Sequence, residues 1–497
     1  MAGQARQASC TSRQVIITHI INLVLIAMVS LTFCTDICSA LRFQFPSFTM
    51  DSWSQYNSEL KANLGPLHFK LANNMVTPKE AGDLFSQDLS NFLSTKNEFT
   101  KEDNKSVYIE NQSKSLEKSR KLKNTLRKKA FGKNGTDAGR KELKKAVKAH
   151  NYLKKLSKKR KNNKDALHQE KTYFKNFWKY AGKCSNGTLD QKPEQPTFSK
   201  DVADVYYPGK YSSPSPLDLT KLNWFPYLPV DTIDSSNQFN LSPIRPKDIR
   251  AIVNKKNATS APGPDGIVYG IIKKLPSTHL ILSTLFSKLL ESGDPPESWS
   301  SSSVVLIYKS GDVSKPENFR MIALTSCVAK IYHQILAERM GNYLIKNGLI
   351  DSETQKAFLR GINGCAEHTT VMRELIAHSK AKKRTAHITF FDLADAFGSV
   401  EHSLIIHTLQ RNGVPEPVIQ YIERLYDSLK GTVKGPNWFS EPFRFKKGVF
   451  QGDPLSPIIF LAVFNPIIQH LKIMETQYGY NLNGTKYITL PFADDFV

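Results

Sequence analysis

Cysteine is scarce in this chain: six residues in 497 (Cys10, Cys34, Cys38, Cys184, Cys327, Cys365), with no CxxC pair and no Cys/His group at zinc-finger spacing. A disulfide framework and a structural zinc cluster are therefore set aside, and free thiols in a reducing compartment are expected. No internal repeat is visible, which sets aside repeat architectures. Acidic residues are also in short supply, 45 Asp and Glu against 68 Lys and Arg, for a net charge of +23. An excess of that size points toward phosphate-rich partners.

The positive charge is concentrated. Between Lys101 and Lys179 there are 26 basic and 8 acidic residues, so this stretch holds 18 of the 23 net charges. Sparse leucines among the lysines suggest helices separated at Gly132 and Gly135, followed by an aromatic run, "TYFKNFWKY". A solvated helical linker is the ordinary meaning of such a run. The added aromatics favour nucleic-acid binding. The Pro/Ser-rich "YYPGKYSSPSPLD" then marks a boundary near residue 215. At the N-terminus, Arg6 and Arg13 precede twenty mostly apolar residues from Val15 to Cys34. That run reads as a signal peptide or membrane anchor, at odds with a reducing compartment, or as a buried helix or the fusion of an unrelated exon.

Beyond residue 215 the pattern is that of a compact α+β domain. Leu282, Leu285, Phe286, Leu289 and Leu290 share one helical face that stops at Gly293 and Pro295, and "SSVVLIYK" predicts a strand. Val328, Ile331, Tyr332, Ile335 and Leu336 define a second amphipathic helix. "AHITFFDL" predicts a short strand ending in Asp392, and "LSPIIFLAVFNPIIQHL" a core helix kinked or broken at Pro466. Asn483-Gly484 between alternating runs predicts a β-hairpin, with Asp494 and Asp495 at the far end of its second strand. A carboxylate at the end of a buried strand is costly unless it is paired or bound to a metal. Asp392, Asp494 and Asp495 together suggest a shared site for a hard cation such as Mg²⁺, completed by substrate phosphates.

Six ordered blocks carry a resemblance: "SAPGPDGIVYGIIKKL", "VVLIYKSGDVSKPENFRMIAL", "QKAFLRGINGC", "ITFFDLADAFGSVEH", "GVFQGDPLSPIIF" and "PFADDFV". Over about residues 245–497 the chain resembles reverse transcriptases of non-LTR, LINE-type retrotransposons. The resemblance implies a right-hand polymerase fold with fingers and an incomplete palm over 216–497. A basic, largely helical linker over 46–215 and an apolar N-terminal segment over 1–45 would precede it. By position, Asp392 and Asp494 resemble the metal ligands of a two-Mg²⁺ site, with Mn²⁺ a possible substitute. The carbonyl of Leu393 would assist, and Asp495 would tune the site.

Lys309 and Arg320 match the positions that hold the nucleotide triphosphate, and Phe397 matches an aromatic steric gate against a 2′-hydroxyl. Gln451 and Gly452 match the block that approaches the nascent pair, and Asp265 is read as structural. Three departures stand out: Met321 in place of proline, which would soften a loop carrying Arg320; Asp395 where a basic or small residue is frequent; and Gly398 for a common aspartate.

The implied partners are an RNA template, a DNA primer or target and deoxynucleoside triphosphates, with a membrane reached only through residues 15–34. A nuclear or cytoplasmic location follows from the polymerase reading. No thumb and no endonuclease is seen, so the chain is expected to be an internal fragment with impaired, weakly processive synthesis. The alternatives are a non-catalytic nucleic-acid-binding remnant, a membrane-anchored protein and an RNA-dependent RNA polymerase, the last disfavoured by Phe397.

Overall fold

A computed structural model describes residues 50–96, 195–212, 235–359, 361–362 and 364–497, with isolated positions 125, 147 and 218. The apolar run 15–34 and the aromatic run 172–180 lie outside the described residues, as does almost all of the basic stretch. The chain divides into two compact units, 101–192 and the remainder. Everything below concerns the second.

Its elements in chain order are helices α1 (Met50–Ala72), α2 (Pro78–Ser94), α3 (Lys200–Tyr211), α4 (Pro246–Lys255), α5 (Tyr269–Lys274) and α6 (Ser277–Ser292). Strands β1 (Ser301–Tyr308) and β2 (Phe319–Leu324) follow, then α7 (Cys327–Lys346), α8 (Gly364–Ala381), α9 (Ala396–Ser399), α10 (His402–Arg411) and α11 (Glu416–Ser428). Strands β3 (Lys430–Lys434) and β4 (Phe443–Arg444), helices α12 (Ser456–Ile473) and α13 (Glu475–Tyr478), and the hairpin β5 (Tyr480–Leu482) and β6 (Thr485–Tyr487) complete the unit. The fold is α+β.

Helices form where the sequence periodicity places them. All five apolar residues expected on the face of α6 are buried, as are all five on α7. Helix α6 stops at Gly293, which adopts φ 63. The rings of Phe286, Trp299, Tyr332 and Tyr421 meet at centroid distances of 5.0 to 6.2 Å and fix α6, α7 and α11 around one core. Strand β1 pairs antiparallel with β2 and parallel with β3, giving the order β2-β1-β3-β4.

Helices α1 and α2, which the sequence assigns to a 46–215 linker, pack in this same unit against α6. Trp53, Leu60, Leu64, Leu67 and Leu71 form a buried stripe at helical spacing along α1. A reciprocal capping box fixes the start of α2: Glu80 N–H donates to Thr77 Oγ1 at 3.2 Å, and Thr77 N–H to Glu80 Oε2 at 3.0 Å. These segments carry little net charge, and periodicity rather than composition decides their place.

Three further local expectations change. The stretch around "AHITFFDL" is not a strand; its one ladder contact is an isolated bridge between Phe391 and Phe496. β-Branched and aromatic composition favours a pleated surface but cannot supply a neighbouring backbone, and Ile388, Phe390, Phe391 and Leu393 are exposed here. Helix α12 continues through Pro466 without a break, its apolar face buried in the core. It is the one helix among the described residues long and apolar enough to cross a membrane.

The Asn483-Gly484 hairpin forms as expected, with φ 50 and 101 suiting a two-residue turn, but β6 ends at Tyr487. Pro491 cannot donate to a ladder, and the acidic pair follows on a separate tight turn. Cys327 and Cys365 are free thiols, as expected.

Phe85 of α2 is fully buried in the common core. Phe85→Ala is expected to lower the unit's unfolding free energy by about 3–5 kcal/mol, read as a shifted urea midpoint. A change below about 1 kcal/mol would show that α1 and α2 do not share that core.

Candidate active site

The antiparallel bridge between Phe391 and Phe496 joins two segments about a hundred residues apart in sequence. Phe391 N–H donates to Phe496 O at 2.9 Å, and the two rings stack at 4.8 Å with an interplanar angle of 11°. Antiparallel pairing sets the residue after Phe391 alongside the one before Phe496. Asp392 and Asp495 therefore become neighbours, with Asp494 beside them.

The electrostatics record this proximity. Burial first, then the fields of Asp494 and Asp392, push the Asp495 carboxyl up to about 6. Asp494 is raised by burial and by Asp392, and is partly relieved by the Arg320 guanidinium. A carboxyl raised in this way binds its proton more tightly folded than unfolded. The fold consequently loses stability as pH rises from the ordinary carboxylate range through about 6. A bound cation would remove that penalty.

Among the described residues, no three His, Cys, Asp or Glu side chains are grouped to hold a metal ion by themselves. The donor set still fits an ion such as Mg²⁺, which keeps several waters, binds through one or two carboxylates and draws remaining ligands from phosphates. Asp392 is exposed and Asp494 half-buried, so both can be reached from solvent.

The acidic turn is held by a residue to which the sequence assigns no role. Phe492 N–H donates to Asp495 O at 2.7 Å and Asp495 N–H to Phe492 O at 3.2 Å, closing a turn in which Ala493 takes φ 58. A non-glycine residue in that region costs about 1–2 kcal/mol. The buried Gln355 amide clamps it: Oε1 accepts from Ala493 N–H at 2.9 Å and Nε2 donates to Ala493 O at 3.3 Å. Oε1 also accepts from Ala357 N–H at 2.9 Å, so the amide cannot turn away. The preceding carbonyl, Pro491 O, accepts from His368 Nε2 at 2.9 Å and Lys356 N–H at 3.3 Å.

Arg320 lies on β2 rather than on a loop, with Met321 buried beside it in register with Leu306. A residue with a main-chain N–H suits a strand position better than proline would, so the expected softening does not occur. Lys309 follows β1 at the same end of the hairpin, its N–H donating to Asn318 O at 2.8 Å. Burial lowers both cations; Lys210 and Arg320 lower Lys309 further, while Asp494 supports the charge of Arg320.

Phe397, half-buried, stacks on Phe460 at 4.5 Å and 13° and meets Phe358 edge-on at 6.1 Å. Gln451 O accepts from Ala323 N–H at 2.8 Å, tying its loop to β2. Gly452 has φ 108, and a Cβ there would stand 2.9 Å from Ala323 O, so this approach requires glycine.

Next to it, Asp453 is buried in a network that the sequence does not disclose. Its Oδ2 meets His333 Nδ1 at 2.6 Å, His333 Nε2 meets the Tyr421 hydroxyl at 2.8 Å, and Oδ1 accepts from Leu455 N–H at 2.9 Å. Burial would raise Asp453, but His333, the Leu455 N–H and Lys330 together more than offset it and the carboxyl lies below its usual range. Asp265 accepts from Ser326 Oγ at 2.6 Å and Ile267 N–H at 3.1 Å, a loop-fixing pattern.

Gln355→Ala would leave the buried N–H and C=O of Ala493 unpaired, at a cost of about 1–3 kcal/mol each. Hydrogen exchange at the Ala493 amide is expected to accelerate about tenfold or more. Unchanged exchange there would remove the clamp.

Comparison with known proteins adds a second, independent line. Residues 307–497 match the reverse transcriptase (RNA-dependent DNA polymerase) family. The chain is 28% identical over 337 residues to the Retrovirus-related Pol polyprotein from type-2 retrotransposable element R2DM of Drosophila melanogaster, covering 68% of this chain and 30% of the relative. It is 31% identical over 238 residues to the corresponding type-1 R2 polyprotein of Nasonia vitripennis, covering 48% and 22%. Against that of Popillia japonica it is 30% identical over 256 residues, covering 51% and 34%. The chain thus spans about a third or less of the length of these relatives.

Proposed function

We propose, from the premise that residues 307–497 are a reverse transcriptase domain of the non-LTR retrotransposon kind, that this domain extends a DNA 3′-hydroxyl with deoxynucleotides on an RNA template. The observation that carries the reading is the gathering of Asp392, Asp494 and Asp495 beside Arg320, with two of the carboxyls raised by burial and mutual repulsion.

Reverse transcriptases use divalent metal ions. Here Asp392, Asp494 and the Leu393 carbonyl would hold two Mg²⁺, with Mn²⁺ as a substitute. When bound, such ions lower the charge on the attacking and leaving oxygens of an in-line displacement. Asp495 acts through its field on Asp494. Lys309 and Arg320 meet the triphosphate, two fixed cations against a polyanion. Phe397, braced by Phe460 and Phe358, forms the floor under the sugar and leaves no room for a 2′-hydroxyl. Gln451 and Gly452 approach the nascent pair through a loop that His333 and Asp453 keep rigid.

In this reading β1, β2 and their helices serve as fingers, and the Asp392 segment, α12 and the acidic turn form the palm. The basic stretch within 46–215 grips nucleic acid.

Primer extension by the full chain on an RNA template is expected to incorporate deoxynucleotides only with a divalent cation present. Asp392→Asn or Asp494→Asn should lower incorporation about a hundredfold or more. Salt-dependent RNA binding with no incorporation under any metal would support a non-catalytic nucleic-acid-binding protein instead.

Phe397→Ala is expected to weaken discrimination against ribonucleotides by about tenfold or more, measured as the ratio of kcat/KM for the two sugars. An unchanged ratio would assign the ring to packing alone.

A further inference from the structure

Helix α3 lies outside the stretch matched to the family, yet its last turn reaches the site. Lys210 Nζ is 3.0 Å from Asp395 Oδ2, with the lysine half-buried and the aspartate exposed to solvent. The rigid neighbour of Lys210 fixes its direction. Tyr211 O accepts from Lys446 N–H at 3.0 Å, and the Tyr211 ring packs on Phe445 at 4.8 Å and on Phe443 at 6.5 Å.

Asp395 adopts φ 50 and ψ 43 immediately before α9, and its side chain does not cap that helix. The carboxylate lies over Gly398, where a Cβ would stand 2.3 Å from Oδ2. The two departures from the family pattern, Asp395 and Gly398, are therefore one local arrangement. An acidic side chain stands where a basic or small one is frequent, glycine makes room for it, and a lysine from α3 meets it.

Three cations, Lys210, Lys309 and Arg320, thus share one neighbourhood. Lys210 and Arg320 act against the charge on Lys309, and Asp395 supports it. Neither Lys309 nor Arg320 forms an ion pair with a carboxylate among the described residues. Asp494 favours the charge on Arg320 but forms no ion pair with it, so among the described residues Lys309 and Arg320 offer cationic groups not ion-paired to a carboxylate that a polyphosphate would meet. As a tie between α3 and α9 alone, so solvent-accessible a pair would contribute little and concern stability only.

Building on the nucleotidyl-transfer reading above, we propose that Lys210 is a third cationic contact for the triphosphate of the incoming nucleotide, parked on Asp395 until the polyphosphate draws it away. Asp395 then acts as a competitor that holds the lysine in place and tempers affinity for the free site.

Equilibrium binding of a deoxynucleoside triphosphate and of inorganic tripolyphosphate to the full chain, with Mg²⁺ present, tests the proposal through opposite signs. Lys210→Gln should weaken both about tenfold, whereas Asp395→Asn should tighten both about threefold, with the double variant matching Lys210→Gln. A structural tie predicts that both single variants change binding in the same direction or not at all, and either result overturns the proposal. Lys309→Gln and Arg320→Gln separate the two readings. If they weaken binding while Lys210→Gln does not, the Lys210 contact falls alone. If the unaltered chain binds neither probe, the triphosphate site falls with it.

Discussion

Like charges held together against their repulsion are the constraint around which this unit is organised. Asp392 and the Asp494-Asp495 pair belong to distant segments, and each would be better solvated apart. A single backbone bridge and one stacked ring pair, Phe391 on Phe496, hold the segments in register. Burial first, and then that proximity, raises the Asp494 and Asp495 carboxyls.

The supports around the carboxylates share a design. Gln355 clamps both main-chain groups of Ala493, and His333 with Tyr421 pins Asp453 beside Gly452. Both devices use neutral or charge-compensated buried groups to hold backbone in conformations that sequence-local forces would not choose. Strain at Ala493 and the close approach at Gly452 survive because each is over-determined by hydrogen bonds from another element.

The helices before the matched domain are part of the same story. The buried stripe of α1, the capped α2 and the Tyr211 anchor of α3 make residues 50–94 and 200–211 structural members of the unit that carries the site. Charge composition is a poor guide to such membership. The electropositive stretch and these helices are neighbours in sequence, yet the chain separates 101–192 from the rest.

The sequence by itself determined the elements whose signals are local: α6 and α7 by period, the β5–β6 hairpin by Asn483-Gly484, and the class of chemistry by six ordered blocks. It also drew attention to Asp392, Asp494 and Asp495, because an aspartate after an apolar run is conspicuous wherever the chain later goes. It overreached at "AHITFFDL", where residue type promised a strand and no neighbouring backbone completed one, and at Pro466, where a helix tolerated the missing donor. Only the tertiary structure decided that Gln355 meets Ala493, that His333 meets Asp453 and that Lys210 meets Asp395. Those partners are separated by 138, 120 and 185 positions and follow no period. Each contact depends on how whole elements pack, and that information resides in the summed burial of the core rather than in any stretch of residues.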